Sequence, residues 1–182
     1  MVFPKGYKIA LINDEDIAVK WPDLKLGENS EITSLKDIPN NTYNCVAFAL
    51  GEENSIADML IFSKTIDLAA CGLSNKNLVH TVEAYESVFT HFYKFERCDS
   101  ATYEAGYTKI ALYEGYDEDD ELNFLHVAIL LDNGKWKSKM GNYEDIEHET
   151  LEVLAGKQYG NPKIIMKRKS DVKIKILSED QD

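Results

Sequence analysis

Cys45 stands in the run Thr42-Tyr43-Asn44-Cys45-Val46-Ala47-Phe48-Ala49-Leu50-Gly51. Asn44 is a residue type that caps helix N-termini. The residues after it are apolar almost all round, so the run predicts a buried helix ended by Gly51. A cysteine in the first turn of such a helix meets unpaired backbone N–H groups and the positive end of the helix dipole. Both favour the nucleophilic thiolate, and the same N–H groups could hold an oxyanion. The bland alternative is a small core residue, since free cysteine is among the most buried types.

His126 opens the apolar run Leu125-His126-Val127-Ala128-Ile129-Leu130-Leu131. An imidazole there needs a partner or a place at a cleft mouth, because an unpaired buried polar group is costly. A thiol nucleophile needs a neighbouring imidazole as base and then as acid. A helix-borne Cys45 followed by a strand-borne His126 is the order used by thiol hydrolases of the papain type. In hydrolases of that type a third group orients the imidazole, and the resemblance implies His148 or Asn142 for that role here. Tyr43 and Asn44 beside the thiol, with Trp136 and Ser138 on the return strand, are the candidates for contacting substrate. Ser138-Lys139 is no Ser–Lys dyad, since adjacent strand residues point to opposite faces.

These residues must be positioned by a mixed α and β framework. Leu78, Val82, Tyr85, Phe89 and Phe92 recur at spacings of three and four, which predicts a helix from about 77 to 95. His80 and His91 fall off that stripe and read as surface residues. A further helical stretch is expected within 55–70, and a short helix around 145–154. Residues 107–113, 125–131, 135–139, 163–169 and 172–177 read as strands. The 125–131 run is apolar on both faces and should be central in its sheet. Asp132-Asn133-Gly134 should turn it back on 135–139. The fold class expected is α+β, with the Cys45 helix packed on a central antiparallel sheet.

The chain has 182 residues, a formal net charge of -12, and 44% hydrophobic residues. That suits one domain with its own core. An irregular segment fills 1–40, the core 41–177, and a frayed tail 178–182. The basic residues Lys163, Lys167, Arg168 and Lys169 alternate with apolar ones and read as a solvated strand face. No basic stripe points to nucleic acid, and no run is long enough to span a bilayer. The three cysteines, Cys45, Cys71 and Cys98, are widely spaced and form no zinc motif. Free thiols and a start without a long apolar stretch suggest a cytoplasmic protein, or one exported without a cleaved signal. Asp117-Glu118-Asp119-Asp120-Glu121 lacks the ligand pattern of a calcium loop. No GxGxxG, Walker or HExxH motif appears, so neither cofactor nor metal is expected. The expected partner is a protein or peptide.

His126-Val-Ala-Ile-Leu-Leu-Asp-Asn-Gly-Lys-Trp136 resembles the histidine hairpin of the NlpC/P60 branch of papain-like hydrolases. Lys109 to Tyr113 resembles the strand that precedes it, and Tyr43 to Ala49 the nucleophile helix. Where that branch has Asp-Cys-Ser-Gly-Phe, this chain has Asn44-Cys45-Val46-Ala47-Phe48. The chain is also similar to a family of uncharacterised bacterial proteins. The shared motifs are Tyr-Asn-Cys, His-Val-Ala, Trp136-Lys-Ser138-Lys139-Met-Gly141, Ile146-Glu-His148 and Tyr159-Gly160. The resemblance implies a papain-like fold and amide chemistry of the peptidase, amidase, deamidase or transglutaminase kind. Its rival is a papain-like binding module with an inert Cys–His pair.

Overall fold

The computed structural model describes residues 22–25, 31–33, 43–51, 56–74, 79–141 and 145–172. Helix α1 (Cys45–Leu50) begins at the expected cap: Ala47 N–H donates to Asn44 Oδ1 at 3.0 Å. Gly51 closes it in the left-handed region at φ 89, where glycine has no Cβ penalty. The helical stretch expected within 55–70 is helix α2 (Met59–Thr65), capped by Asp58, and a 3-10 turn at Leu68–Cys71.

Helix α3 (Val82–Tyr93) is shorter than the periodicity implies. Thr81 caps it by accepting from Ala84 N–H at 3.3 Å, and Lys94 at φ 59 ends it. Val82, Tyr85 and Phe89 are buried and Phe92 half-buried, while His80 and His91 are exposed. Leu78 lies outside the described residues.

Among the described residues the strands are β1 (Glu31–Thr33), β2 (Glu96–Cys98), β3 (Tyr107–Tyr116), β4 (Leu122–Leu130), β5 (Trp136–Lys139), β6 (Asp145–His148) and β7 (Asn161–Lys169). They form one sheet in the order β1-β6-β5-β4-β3-β7-β2, with each pairing antiparallel. β4 lies at its centre, as its two apolar faces require. Gly134 at φ 81 makes the turn into β5, and Leu131 N–H donates to Lys135 O at 2.8 Å across it. The strand expected at 172–177 lies almost wholly outside the described residues.

One element differs in kind. The helix expected over 145–154 is β6 followed by a 3-10 turn at Leu151–Leu154. Ile146 and His148 point to one face, opposite Ser138 and Trp136 of β5. The open edge of β5 offers backbone partners to this segment, and that tertiary supply overrides its helical preferences.

The sheet separates two cores. On one side the three helices cover Ile110, Leu112, Val127, Ile129, Ile164 and Met166. On the other, Leu151 and Leu154 of the 3-10 turn cover Ala111, Tyr113, Ala128, Leu130, Trp136 and Ile146. The Tyr113 hydroxyl donates to Leu151 O at 2.9 Å and ties this second layer down. No helix of the described residues is long and apolar enough to cross a membrane.

Candidate functional site

Cys45 packs on the helix-side core with Val46, Phe48 and Val127. Burial dominates its chemistry and pushes the thiol up to about 11. The backbone amides of Val127, Val46 and Cys45 itself, and the Lys139 ammonium, work in the opposite direction without prevailing. The helix start thus provides the polar setting that its sequence implies, but desolvation of the thiolate is the larger effect. Cys45 is half-buried by surface area, and its thiol is held above the ordinary range.

His126 is on the other side of the sheet. Its ring packs edge-on against Tyr113 and Tyr159, with centroids 5.5 and 5.1 Å away. Val127, the next residue, faces the helices. The reason is a bulge. Phe124 stacks on Tyr85 at 3.8 Å on the helix side. Strict alternation would return residue 126 to that side. The pairing steps from Tyr113↔His126 to Glu114↔Phe124, and Leu125 is the extra residue. One inserted residue re-aims every side chain beyond it.

His126 is 1% exposed, and its Nε2 has no hydrogen-bond partner among the described residues. Burial, with the nearby His148, lowers its pKa to about 3. His148 is buried on the same face and also lowered by burial. Its Nδ1–H donates to Thr150 O at 2.7 Å, so its Nε2 accepts from the Ser138 hydroxyl at 2.9 Å. That carbonyl partner decides the tautomer, because a carbonyl can only accept.

The predicted site residues therefore divide between the two faces. His126, His148, Ser138 and Trp136 share the second core. Cys45, Asn44 and Tyr43 lie on the helix side, and the structure does not bring Cys45 and His126 together. Asn142 lies outside the described residues. Asn44 is occupied structurally. Its Nδ2 donates to Ala57 O at 2.8 Å and its Oδ1 accepts from Ala47 and Ala57 N–H groups. Trp136 is 2% exposed and is a core residue. Ser138 and Lys139 do point to opposite faces: Lys139 Nζ lies 5.0 Å from the Tyr43 ring centroid on the helix side.

Two charged residues, Lys137 and Asp145, are buried on the helix side of the sheet, against Tyr43 and Phe48. Lys137 pairs with Asp145 at 3.7 Å, and the Tyr43 hydroxyl donates to both carboxylate oxygens of Asp145 at 3.3 Å. Lys137 also lies over the Phe48 ring at 5.5 Å. The Lys-Trp-Lys-Ser-Lys alternation was the available signal. It placed the lysines on one face, but it did not show that α1 would cover that face.

A third feature is an open cleft of about 1200 Å³ at the end of the β3–β4 hairpin. Its floor brings together Gly115, Gly156 and Gly160. A Cβ on Gly115 would stand 2.8 Å from Gly160 Cα, and one on Gly156 would stand 2.5 Å from Asp23 Cβ. Glycine at 115 lets two backbones approach, and glycine at 156 makes room for the Asp23 side chain. Asp23, Asp117, Glu118 and Asp120 line the cleft, as do Lys157 and Tyr116.

Residues 34–167 match the model of a domain of unknown function (DUF7689). The chain belongs to that family. The family's model covers α1 through most of β7, so it includes both cores and both halves of the predicted Cys–His pair. No curated protein and no solved structure matches the chain.

Proposed function

We propose that this member of the DUF7689 family is a non-catalytic binding module that engages a protein partner. The observation that carries this reading is the placement of Cys45 and His126 on opposite faces of the sheet. A nucleophile and its base must come within hydrogen-bond reach, and a packed sheet between them prevents it. The pKa directions agree: the thiol is raised and the imidazole lowered, the reverse of a thiolate–imidazolium pair. A helix that opens with Cys45 and packs on central antiparallel strands supports a papain-like core as the origin of the module. The test is mass spectrometry of the intact chain after exposure to acylating and alkylating amide-hydrolase probes. The module reading expects no selective adduct on Cys45 and no cleavage of peptide amides. Selective, saturable labelling of Cys45 would overturn it.

A second reading keeps a thiol hydrolase or acyltransferase, with Cys45 served by Lys139 in place of His126. It is favoured by the Lys139 charge and by the backbone amides around the sulfur. It requires that Lys139→Met abolish any Cys45 labelling while His126→Ala leaves it unchanged.

A further inference from the structure

We propose that residues 149–160 form a cover over the second face of the sheet that acid releases, with His126 and His148 as the groups that take up the proton. The device lies on the face opposite Cys45 and works whether or not that thiol reacts.

The geometry around the two imidazoles carries the proposal. The buried Nε2 of His126 has no hydrogen-bond partner among the described residues. Its ring is enclosed by Tyr113 from β3 and by Tyr159 from the segment itself. His148 of β6 is buried on the same face and holds the segment directly, donating from Nδ1 to Thr150 O at 2.7 Å. Ser138 of β5 donates to its Nε2. Among the described residues neither histidine has a carboxylate partner. The 3-10 turn brings Glu152, whose charge acts on the Tyr113 hydroxyl. Further ties of the segment are Tyr113 hydroxyl to Leu151 O, Lys25 N–H to Val153 O, and Lys157 N–H to Asp23, at 2.9, 2.9 and 2.8 Å. Its own regular structure is the 3-10 turn and the Gly156–Gly160 bridge. Such a short element opens at lower free energy than the strands beneath it.

Neutral imidazoles suit this face and charged ones do not. A protonated His126 is a cation between two aromatic rings, and its Nε2–H has no acceptor. Burying an unpaired charge is costly. Protonating His148 turns its Nε2 from acceptor to donor against the Ser138 hydroxyl, and sets a second like charge on the same face. Both groups are accordingly held below the ordinary histidine range while the cover is closed. Lifting 149–160 takes Tyr159 from His126 and Thr150 from His148, and water then solvates both cations. The open form binds protons more tightly, so falling pH shifts the balance toward it. Above about pH 6.5 both imidazoles are neutral in either form and the packed cover is retained. Release uncovers Trp136, the cross-strand partner of His148, together with Leu151 and Leu154.

The experiment is hydrogen exchange of the full chain, read by mass spectrometry from about pH 6 to about pH 4 and corrected for the intrinsic pH dependence of exchange. Peptides spanning 149–160 should lose protection, with an opening constant that rises at least about tenfold per pH unit. Peptides from α3 and β3 should stay protected. In a Trp21→Phe chain Trp136 is the one tryptophan left, and acrylamide quenching of its fluorescence should rise over the same range. His126→Leu and His126→Gln each remove the titrating ring, one with an apolar and one with a polar side chain. Each should reduce the rise between those pH values at least about tenfold, which separates the proton from the packing. Protection of 149–160 that does not change with pH overturns the cover. So does an equal rise in both variants, or simultaneous loss of protection in α3 and β3, which is global unfolding. The wild-type pattern alone distinguishes local from global opening, so the test does not depend on either variant folding.

Discussion

Val127 turns its side chain toward α1 and its amide toward the Cys45 thiol, while the preceding residue, His126, is buried between Tyr113 and Tyr159 on the far side of the sheet. The register at Leu125 thus decides whether this chain holds a thiol–imidazole pair.

The Cys45 thiol, raised from 9.0 to about 11, should alkylate about a hundredfold more slowly at neutral pH than a thiol of ordinary pKa, because each pKa unit removes a factor of ten of thiolate. Iodoacetamide labelling with peptide mapping across a pH series measures this. His126→Ala should not change the rate. A Cys45 titrating below about 8.5 would contradict the burial described here.

Acid should destabilise the fold through the second core. His126 has a folded pKa of about 3 against an ordinary 6.5, so between those values the unfolded chain binds the extra proton. Its contribution is complete above pH 6.5 and falls by about 1.4 kcal/mol per pH unit as pH drops toward 3. His148, also lowered, acts in the same direction. Urea unfolding of wild type and His126→Leu across this range isolates the effect. The variant should have a shallower acid slope. At pH 7 it should be more stable by about 1 kcal/mol, since it removes a buried nitrogen that has no partner among the described residues. An unchanged slope would show that His126 is solvated.

The glycines should differ sharply. Gly160 has φ +76, and a Cβ there would stand 2.6 Å from the Glu114 carbonyl carbon. Gly160→Ala should therefore cost about 3 kcal/mol, combining a left-handed conformation with a backbone clash. Gly134 has φ +81 but nothing among the described residues within 4 Å of its Cβ position, so Gly134→Ala should cost about 1 kcal/mol. Thermal unfolding of both variants gives the comparison, and equal losses would mean the 156–160 loop yields.

Asn44 should resist replacement even by another good cap. Asn44→Asp keeps the acceptor for Ala47 N–H but loses the donor to Ala57 O. It should destabilise by about 1 kcal/mol, and Asn44→Ala by about 2 kcal/mol. Chemical denaturation checks both. A neutral Asn44→Asp would show that the bond to Ala57 contributes nothing.

Much of this architecture was legible from local chemistry. The Asn44 cap, the stripe of Val82, Tyr85 and Phe89, the Asn133-Gly134 turn and the central position of β4 each depend on residues close in sequence. They follow from capping, helical period, positive φ and a strand that is apolar on both faces. Segment 145–154 has helical local preferences, but Asp145–His148 is a strand because β5 is its partner, and pairing across a sheet leaves no mark in local composition.

The face taken by His126 belongs to the tertiary structure alone. Where a strand is apolar on both sides, alternation carries no information about which side is which. The extra residue at Leu125 becomes visible only when β4 is laid against β3. Likewise the sequence placed Cys45 at a helix start, where the backbone favours a thiolate. Only the packing of α1 on the sheet made desolvation the larger effect and moved the thiol up instead of down.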